Sequence, residues 1–457
     1  MALKKSSMDL TQGSIPRLII KFALPLLLSQ LFQNLYNSVD SIIVGRFVGT
    51  TALAAVSSCG DISILLVGFF NGLAAGAGVL FSRYFGAKNE ELLHKSIHTA
   101  VTFCVILGLI MMTVGIVLTP ALLRLVKCPD DVYIQAESYL RVYFIGMLFL
   151  SLYNVGAGVL RAVGDSRSPF IYLVISSVIN ILLNLFFVVV LHLDVLGVAI
   201  ATVISQLCSV ALVLRRLLGT QDVYRLVLKD LKIDRKILVE VIDLGLPSAI
   251  QSAIISSSNL FVQRYVNSFG SAAMAGIGAA KKVDKFLMMI SQSLNWSTTT
   301  FVSQNLGAGK RDRAFSCIRT CLIGGAAILI MIGIPVFIFA PEIIELFSTD
   351  AAAIIFGVGM VRVMAPFYSV HLVNNVLSGA VRGFGRSRVV MYFSIAGMVV
   401  MRQIFLAITM SIDHNVQFVY YGYPFGWTCS AVLVVIYYFI VIRKDKDKGA
   451  AAAPAAE

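Results

Sequence analysis

Charged residues are scarce in this chain. Only 13% of its 457 residues are Asp, Glu, Lys or Arg, whereas 58% are hydrophobic and the mean hydropathy is +0.86. In soluble globular proteins about a quarter of the residues are charged. The scarcity excludes an ordinary soluble protein and predicts an all-α polytopic membrane protein.

Catalytic and metal-binding patterns are also lacking. The five histidines show no HExxH spacing, and no serine has an evident His/Asp pairing. The seven cysteines are scattered, and no His or acid joins Cys317 and Cys321 at metal-ligand spacing. The turns at Gly86 and Gly307 lack the full phosphate-loop spacing, and no strand pattern precedes them. We therefore expect no enzyme activity, no metal site and no cofactor.

The formal net charge of +13 requires no nucleic-acid partner. Most of the 37 Lys and Arg residues fall in alternate loops between apolar segments and at the two ends of the chain. The positive-inside rule produces this distribution when both termini are cytoplasmic. The first apolar run is too long for the core of a signal peptide, so we expect it to be retained.

Twelve apolar segments are long enough to cross a bilayer, which requires about 17–25 residues each. The predicted helices are residues 17–47, 52–84, 96–118, 133–157, 168–191, 195–217, 237–268, 274–306, 314–339, 354–380, 389–411 and 417–442. Four regions are predicted: an N-terminal lobe of helices 1–6 (1–218), a cytoplasmic linker (219–236), a C-terminal lobe of helices 7–12 (237–442) and a disordered tail (443–457).

The two halves of the chain repeat each other at an offset of 221 residues. The offset pairs Gly49 with Gly270, Pro120 with Pro341, Asn154 with Asn375, Arg161 with Arg382, and Gly164 with Gly385. Because six helices is an even number, both halves begin on the same side of the membrane and the repeats are parallel. Transporters built in this way place the substrate path between their halves, so we expect a central cavity.

Asp40 is the one acid in the first predicted helix. Gln33 and Asn37 lie on the same helical face, at spacings of seven and three residues from Asp40. A carboxylate within a span is costly, by about 2.5–3.5 kcal/mol on insertion scales, and marks a functional site by default. The alternative is that Asp40 lies near the water interface and is merely tolerated.

Polar residues form stripes on several other predicted helices. We expect a cavity lined by the following residues: Gln33, Tyr36, Asn37, Asn154, Asn259, Met288, Gln292, Asn295 and Asn375. Individually, such amides can instead join helices, and Met288 can be plain packing. Pro25 and Pro247 occupy corresponding places in helices 1 and 7, where they form hinges or static kinks.

The motifs resemble those of the multidrug and toxic compound extrusion (MATE) transporters. The resemblance rests on Val-Asp-Ser-Ile-Ile-Val-Gly-Arg (39–46), the Gly-Ala turns at 86 and 307, and Leu-Arg-Ala-Val-Gly-Asp-Ser-Arg (160–167). It implies that Asp40 is the family's helix 1 aspartate, with Asn180 and Asn184 as its helix 5 partners in ion coupling. It further implies a monomer in the plasma membrane that exports organic, often cationic compounds in exchange for H⁺ or Na⁺.

One branch of the family, typified by NorM, carries acids on helices 7 and 10. The corresponding stretches here, 250–259 and 371–378, contain none, which puts a sodium site in the C-terminal lobe in doubt and indicates the DinF-like branch. Lys282 matches a basic position in some members of that branch. It could pair with an acid, bind an anionic group of the substrate, or lie among the outer lipid headgroups.

Two alternative functions remain at this point. The same fold could flip a lipid-linked precursor or export an anionic amphiphile, for which Lys281, Lys282, Lys285 and Arg402 would be suited. A scaffold or receptor that has lost transport is a third possibility. The efflux hypothesis is distinguished by competition between a proton and a cationic substrate for the single carboxylate of Asp40.

Overall fold

The computed structural model describes residues 8–126 and 128–443. Apart from residue 127, that stretch is almost entirely helical and contains no β-strand. The predicted tail lies outside the described residues except for residue 443.

Twelve long helical segments follow one another along the described residues. They are α1 (Ile15–Val48), α2 (Thr50–Gly86), α3 (Glu90–Leu125), α4 (Tyr133–Ile145 and Met147–Ala162), α5 (Arg167–Val190), α6 (Asp194–Gly219), α7 (Arg235–Asn267), α8 (Gly270–Gly307), α9 (Arg311–Ile338), α10 (Ala351–Gly383), α11 (Ser387–Ile412) and α12 (Val416–Ile442). The predicted number and order of helices are thus confirmed.

Most of these helices are suited to lipid. Ten are long and apolar enough to cross a membrane, and α4 is an eleventh if its two segments are counted as one span. Large apolar side chains point outward from them, for example Val117 at 69% and Leu182 at 61% exposure. In water such a surface would be unfavourable, whereas in a bilayer it contacts lipid tails. The chain is a polytopic membrane protein.

Helix α8 is the exception, because its C-terminal half is rich in hydroxyls and amides. It is buried against α9 and α10 instead of facing lipid. The Thr299 and Ser303 hydroxyls donate to the carbonyls of Gly379 and Gly383 on α10, at 3.1 and 3.2 Å. Polar side chains here hold two helices together where the α10 glycines allow close approach.

The internal repeat is visible in where the helices begin and end. Helices α2 and α8 end at Gly86 and Gly307, and α3 and α9 begin at Glu90 and Arg311, each pair 221 residues apart. The glycines that the repeat pairs also share a backbone state. Gly164 has φ +87° and Gly385 has φ +83°, a conformation that a side chain disfavours.

Some helix ends differ from the prediction. Helix α3 begins at Glu90 instead of residue 96, because the Asn89 side chain accepts a hydrogen bond from the Leu92 amide and caps the helix. Helix α4 is bent by 43° at Gly146, a break that the sequence did not predict. A Cβ on Gly146 would lie 2.4 Å from Oε1 of Gln206 on α6, so glycine permits the close contact there.

The chain divides into two compact units. The first comprises the residues up to Gly13 together with Ile20–Ala253, and the second comprises Ser14–Ile19 with Ile254–Glu457. The predicted linker, 219–236, lies within the first unit, and so does the first half of α7. The predicted lobe boundaries stay a prediction.

Within the first unit, α2 and the first half of α7 make backbone contact. Gly68, Gly72 and Gly76 recur every four residues on one face of α2. A Cβ on Gly76 would lie 2.2 Å from the Cα of Gly245, and one on Gly72 would lie 2.5 Å from the backbone nitrogen of Ala249. We call this contact the α2–α7 seam.

A methyl group at Gly76 should therefore weaken the fold. We expect Gly76→Ala to lower the free energy of unfolding by about 1–3 kcal/mol, because the seam must open to admit it. Gly78→Ala is the matched control, because a Cβ at that position would lie 3.9 Å from its nearest neighbour, the carbonyl oxygen of Gly158. This variant should change the free energy of unfolding by about 1 kcal/mol or less. SDS titration of detergent-solubilised protein, followed by circular dichroism, measures both. Equal stabilities would contradict the seam.

Candidate functional site

Asp40 and its two predicted partners meet in the first unit. The Asn184 amide on α5 donates to Oδ1 of Asp40 on α1 at 2.6 Å. Asn184 and Asn180 are fully buried, and Asp40 is half-buried. The i, i+4 spacing of the two asparagines places both on the face of α5 that meets α1. The three residues that the sequence grouped for ion coupling are therefore in contact.

The Asn180 amide also faces the carboxylate. Its orientation is set by hydrogen bonding, because a carboxylate requires a donor. With the nitrogen toward Asp40, Asn180 donates to Oδ1 at 2.9 Å and to Oδ2 at 3.2 Å. The other end of the amide lies 3.4 Å from the Ser205 hydroxyl on α6. Helices α1, α5 and α6 thus converge on the site.

The charge of Asp40 is not balanced by a neighbouring cation. Among the described residues Asp40 forms no salt bridge. Its ionisable neighbours Tyr36 and Tyr139 are phenols. Tyr139 and Tyr143 are buried, and their rings stack with centroids 6.0 Å apart. An unbalanced carboxylate in such surroundings attracts a proton or a metal cation.

The amides can serve both the charged and the neutral form of Asp40. Toward a carboxylate they present N–H groups, whereas a protonated carboxyl donates to an amide oxygen. Oδ1 of Asn184 is buried and has no hydrogen-bond partner among the described residues. Carboxylate and amide oxygens are also the ligands that hard cations prefer. The site can hold either a proton or a small cation.

The other residues predicted in the first unit have varied surroundings. Gln33 and Tyr36 are half-buried, and Asn37 is exposed. Asn154 is buried and donates to the carbonyl of Leu150 in its own helix at 2.9 Å. Binding of substrate by these four residues stays a prediction.

The residues predicted in the second unit separate into two groups. Asn295 donates to the Asn375 carbonyl at 2.8 Å, and Asn375 donates to the His371 carbonyl at 3.0 Å. These contacts fit the alternative that the amides join helices. Among the rest, Asn259 is exposed, and Met288 and Gln292 are half-buried. Lys282 is exposed, with Nζ 5.4 Å from the centre of the Phe347 ring.

The sequence interpretation missed Asp284. This acid lies on α8, is buried, and hydrogen-bonds with the Tyr368 hydroxyl of α10. It is the single acid between residues 270 and 307. Asp40 was identified in the same way, as the single acid of a long helix. The flanking lysines made the segment resemble a basic interface. Ser205 and Tyr139 were also missed, because serine and tyrosine are too common in spans to be informative.

One group of possible metal ligands lies away from Asp40. Ligand atoms of His94, His98 and Asp230 lie within 4.8 Å of one another. Both ring nitrogens of His98 already have partners, because Nδ1 lies 2.7 Å from the His94 carbonyl oxygen and Nε2 accepts from the Val227 amide at 2.9 Å. The group fastens the segment between α6 and α7 to α3.

Comparisons with known proteins agree on one family. The family model described as MatE matches residues 25–186 and 247–408, two segments of equal length. The chain is 31% identical over 453 residues to the "Probable multidrug resistance protein YoeA" of Bacillus subtilis, which covers 95% of this chain and 96% of the relative. It is 28% identical to the "Probable multidrug resistance protein YpnP" of the same species, over 88% and 89% of the two chains.

The fold has a close structural match. A solved structure described as the outward-facing conformation of a multidrug resistance MATE family transporter superposes with a TM-score of 0.90. The match covers 98% of this chain and 100% of the other, at 22% sequence identity. At that identity the likeness establishes the fold.

The bond between Asp40 and Asn184 should be measurable as an energetic coupling. At a pH at which Asp40 is ionised, a double-mutant cycle of Asp40→Ala and Asn184→Ala should give about 1.5–3 kcal/mol, because the acceptor is then charged. Neutral pairs within membranes average about 0.6 kcal/mol. The free energies come from unfolding of the reconstituted protein.

Ser177→Ala provides the control for this cycle. Ser177 is also buried on α5, but it donates to the Leu173 carbonyl of its own helix at 2.8 Å. Its effect should add to that of Asp40→Ala within about 0.5 kcal/mol. A coupling of zero between Asp40 and Asn184 would show that their side chains are not bonded.

Proposed function

Because the chain belongs to the MatE family of multidrug transporters, we propose that it exports organic, drug-like compounds in exchange for H⁺ or Na⁺. The observation that carries the proposal is the unbalanced carboxylate of Asp40 between the amides of Asn180 and Asn184. Small organic compounds and membrane lipids are its proposed partners, and the monomer in the plasma membrane, with both termini cytoplasmic, is its proposed form.

Coupling follows from competition for one charge. In the outward-facing state the coupling ion binds Asp40, neutralises it and weakens the attraction for a cationic substrate. The loaded carrier reorients and releases the ion inside, which restores the charge and the affinity for substrate. Exchange requires that the empty, charged carrier reorient poorly, since a ligand shifts two states only through its differential affinity.

The two amides give this cycle a local mechanism. Protonation of Asp40 gives one of its oxygens a donor, so one of the two amides can turn its oxygen toward the carboxyl while the other still donates to it. A sodium ion would have the same effect, because it also takes the amide oxygens as ligands. Either ion thereby changes the contact between α1 and α5.

Pro25 and Pro247 are the proposed hinges. Both lie inside continuous helices, α1 and α7, where each removes one backbone hydrogen bond. The Pro25 carbonyl also accepts from the Ser29 hydroxyl at 2.7 Å. Bending of α1 at Pro25 would move the half of the helix that carries Asp40.

The names of the relatives favour efflux over the flipping of a lipid-linked precursor. Both matched Bacillus proteins are described as probable multidrug resistance proteins. Cationic compounds are the proposed first class of substrate, because a charged Asp40 attracts them.

Replacement of Asp40 should abolish coupled transport without preventing folding. Proteoliposomes that contain wild type should accumulate a fluorescent organic cation under a pH gradient or a sodium gradient, and Asp40→Asn should accumulate none. The gradient that drives accumulation identifies the coupling ion as H⁺ or Na⁺. Asp131→Asn, which alters an exposed acid in the loop before α4, should transport as wild type does. Pumping by Asp40→Asn would refute the coupling role.

Replacement of Pro25 should change stability and transport in opposite directions. Pro25→Ala restores a helical hydrogen bond and should stabilise the protein by up to about 3 kcal/mol. If α1 bends there, the same variant transports more slowly. Pro120→Ala, inside α3, should show the stabilisation with normal transport. Unchanged transport by Pro25→Ala would identify the proline as a static kink.

A further inference from the structure

Arg402 of the second unit is a buried cation. It lies on α11 directly after a π-helical turn, Ala396–Met401, and is only 5% exposed. One guanidinium nitrogen, Nη2, donates to the Ser258 hydroxyl of α7 at 2.8 Å. Nε is also buried, and it has no hydrogen-bond partner among the described residues. A side chain with five donors is thus held in place while part of its binding capacity is unused.

Lys281 of α8 is a second cation at the same place. Its ammonium group donates to Oε1 of Gln263 on α7 at 2.9 Å. The ring of Tyr423 on α12 lies close to both charges, with its centre 5.5 Å from Cζ of Arg402 and 5.9 Å from Nζ of Lys281. Lys281, Gln263 and Tyr423 are half-buried, so the cluster is open on one side.

The two positive charges are not balanced. Neither Arg402 nor Lys281 forms a salt bridge with any acid whose side chain the structure describes. Asp284 interacts electrostatically with Lys281 and Tyr423, and its hydrogen bond goes to Tyr368. One acid thus accompanies two cations. A buried cation such as Arg402 is costly within a membrane, and the like charge of Lys281 repels it. An anion would remove both penalties.

We propose that Arg402, Lys281 and Tyr423 form a binding site for the carboxylate or phosphate group of an organic substrate. The inference rests on the proposed function, because the ligand is the cargo of the transporter. The guanidinium Nε–H and the ammonium supply charge-assisted hydrogen bonds, and the Tyr423 ring supplies an apolar face for the organic part. Gln403 donates to the Ser258 hydroxyl and carbonyl at 3.1 Å, which positions the serine that holds Arg402.

The alternative is that Arg402 only joins α11 to α7. A single hydrogen bond to Ser258 would require no more than a neutral amide or hydroxyl at residue 402. This alternative explains neither the unpaired Nε of Arg402 nor the second cation, Lys281, on α8. The corresponding helices of the first repeat, α1 and α5, carry the unbalanced acid. The two copies of the repeat therefore carry sites of opposite charge, one that attracts the coupling cation or a cationic group of the cargo and one that attracts an acidic group of the cargo.

Two xanthene dyes of opposite charge test the site. Fluorescein is anionic and rhodamine 6G is cationic, and both share one ring system. Their binding to the full chain in lipid nanodiscs is measured by fluorescence anisotropy. Wild type should bind fluorescein, and Arg402→Gln should weaken that binding by at least about tenfold, because a charge pair is lost. Arg402→Lys should retain most of the affinity.

Two further variants serve as controls. Lys281→Gln should also weaken fluorescein binding, and its half-buried position makes misfolding a smaller concern. Arg264→Gln, which removes an exposed cation from α7, should bind as wild type does. Rhodamine 6G binding reports whether the variants of Arg402, Lys281 and Arg264 are folded, because their substitutions leave Asp40 in place.

The outcomes separate this site from the proposed coupling site. Asp40→Asn should lose gradient-driven transport and still bind fluorescein as wild type does. Absence of fluorescein binding to folded wild type would overturn the anion site, and so would equal binding by wild type, Arg402→Gln and Lys281→Gln. Driven transport by Asp40→Asn would refute the proposed coupling and leave the dye result as a separate finding.

Discussion

The structure of the first unit depends on one uncompensated charge. A carboxylate that lacks a cationic partner cannot be placed among leucines and phenylalanines without donors. The amides of Asn184 and Asn180 supply those donors from the neighbouring helix α5. These hydrogen bonds therefore add to apolar packing in holding α5 against α1.

The polar residues of the second unit have a different use. On α8, Asn295, Thr299 and Ser303 donate to backbone carbonyls of α10, where glycines bring the helices close together. Ser293, Ser297 and Asn305 donate to carbonyls of α8 itself. Such contacts satisfy donors locally and create no unbalanced charge. Polarity alone thus does not mark a functional residue in a span. The informative residues are charged groups that form no salt bridge among the described residues, as at Asp40 and Arg402.

Much of the fold could be predicted from the sequence, because length, hydropathy and the repeat offset constrain helices strongly. The turns at Gly164 and Gly385 followed from the same offset, and their shared positive φ explains why both are glycine. Asp40 was found because it is the one acid in its helix, and Asn180 and Asn184 were found through the resemblance to MATE transporters. Asp284 was missed because the three lysines nearby made its segment resemble a basic membrane interface. The bend at Gly146 depends on Gln206 of another helix, which no local pattern reveals.

The α2–α7 seam has a consequence for how the protein is made. The first compact unit extends to Ala253, well beyond the first sequence repeat, and it includes the residues of α7 that contact Gly72 and Gly76. A ribosome that has synthesised six helices has therefore not yet synthesised the partner of α2. During synthesis the glycine face of α2 therefore stays without its α7 partner until about 30 further residues beyond α6 have been inserted into the membrane. The first unit can complete its folding only then, since domains fold as units once their residues are present. The two repeats are duplicated in sequence, but the first cannot finish folding before the second has begun.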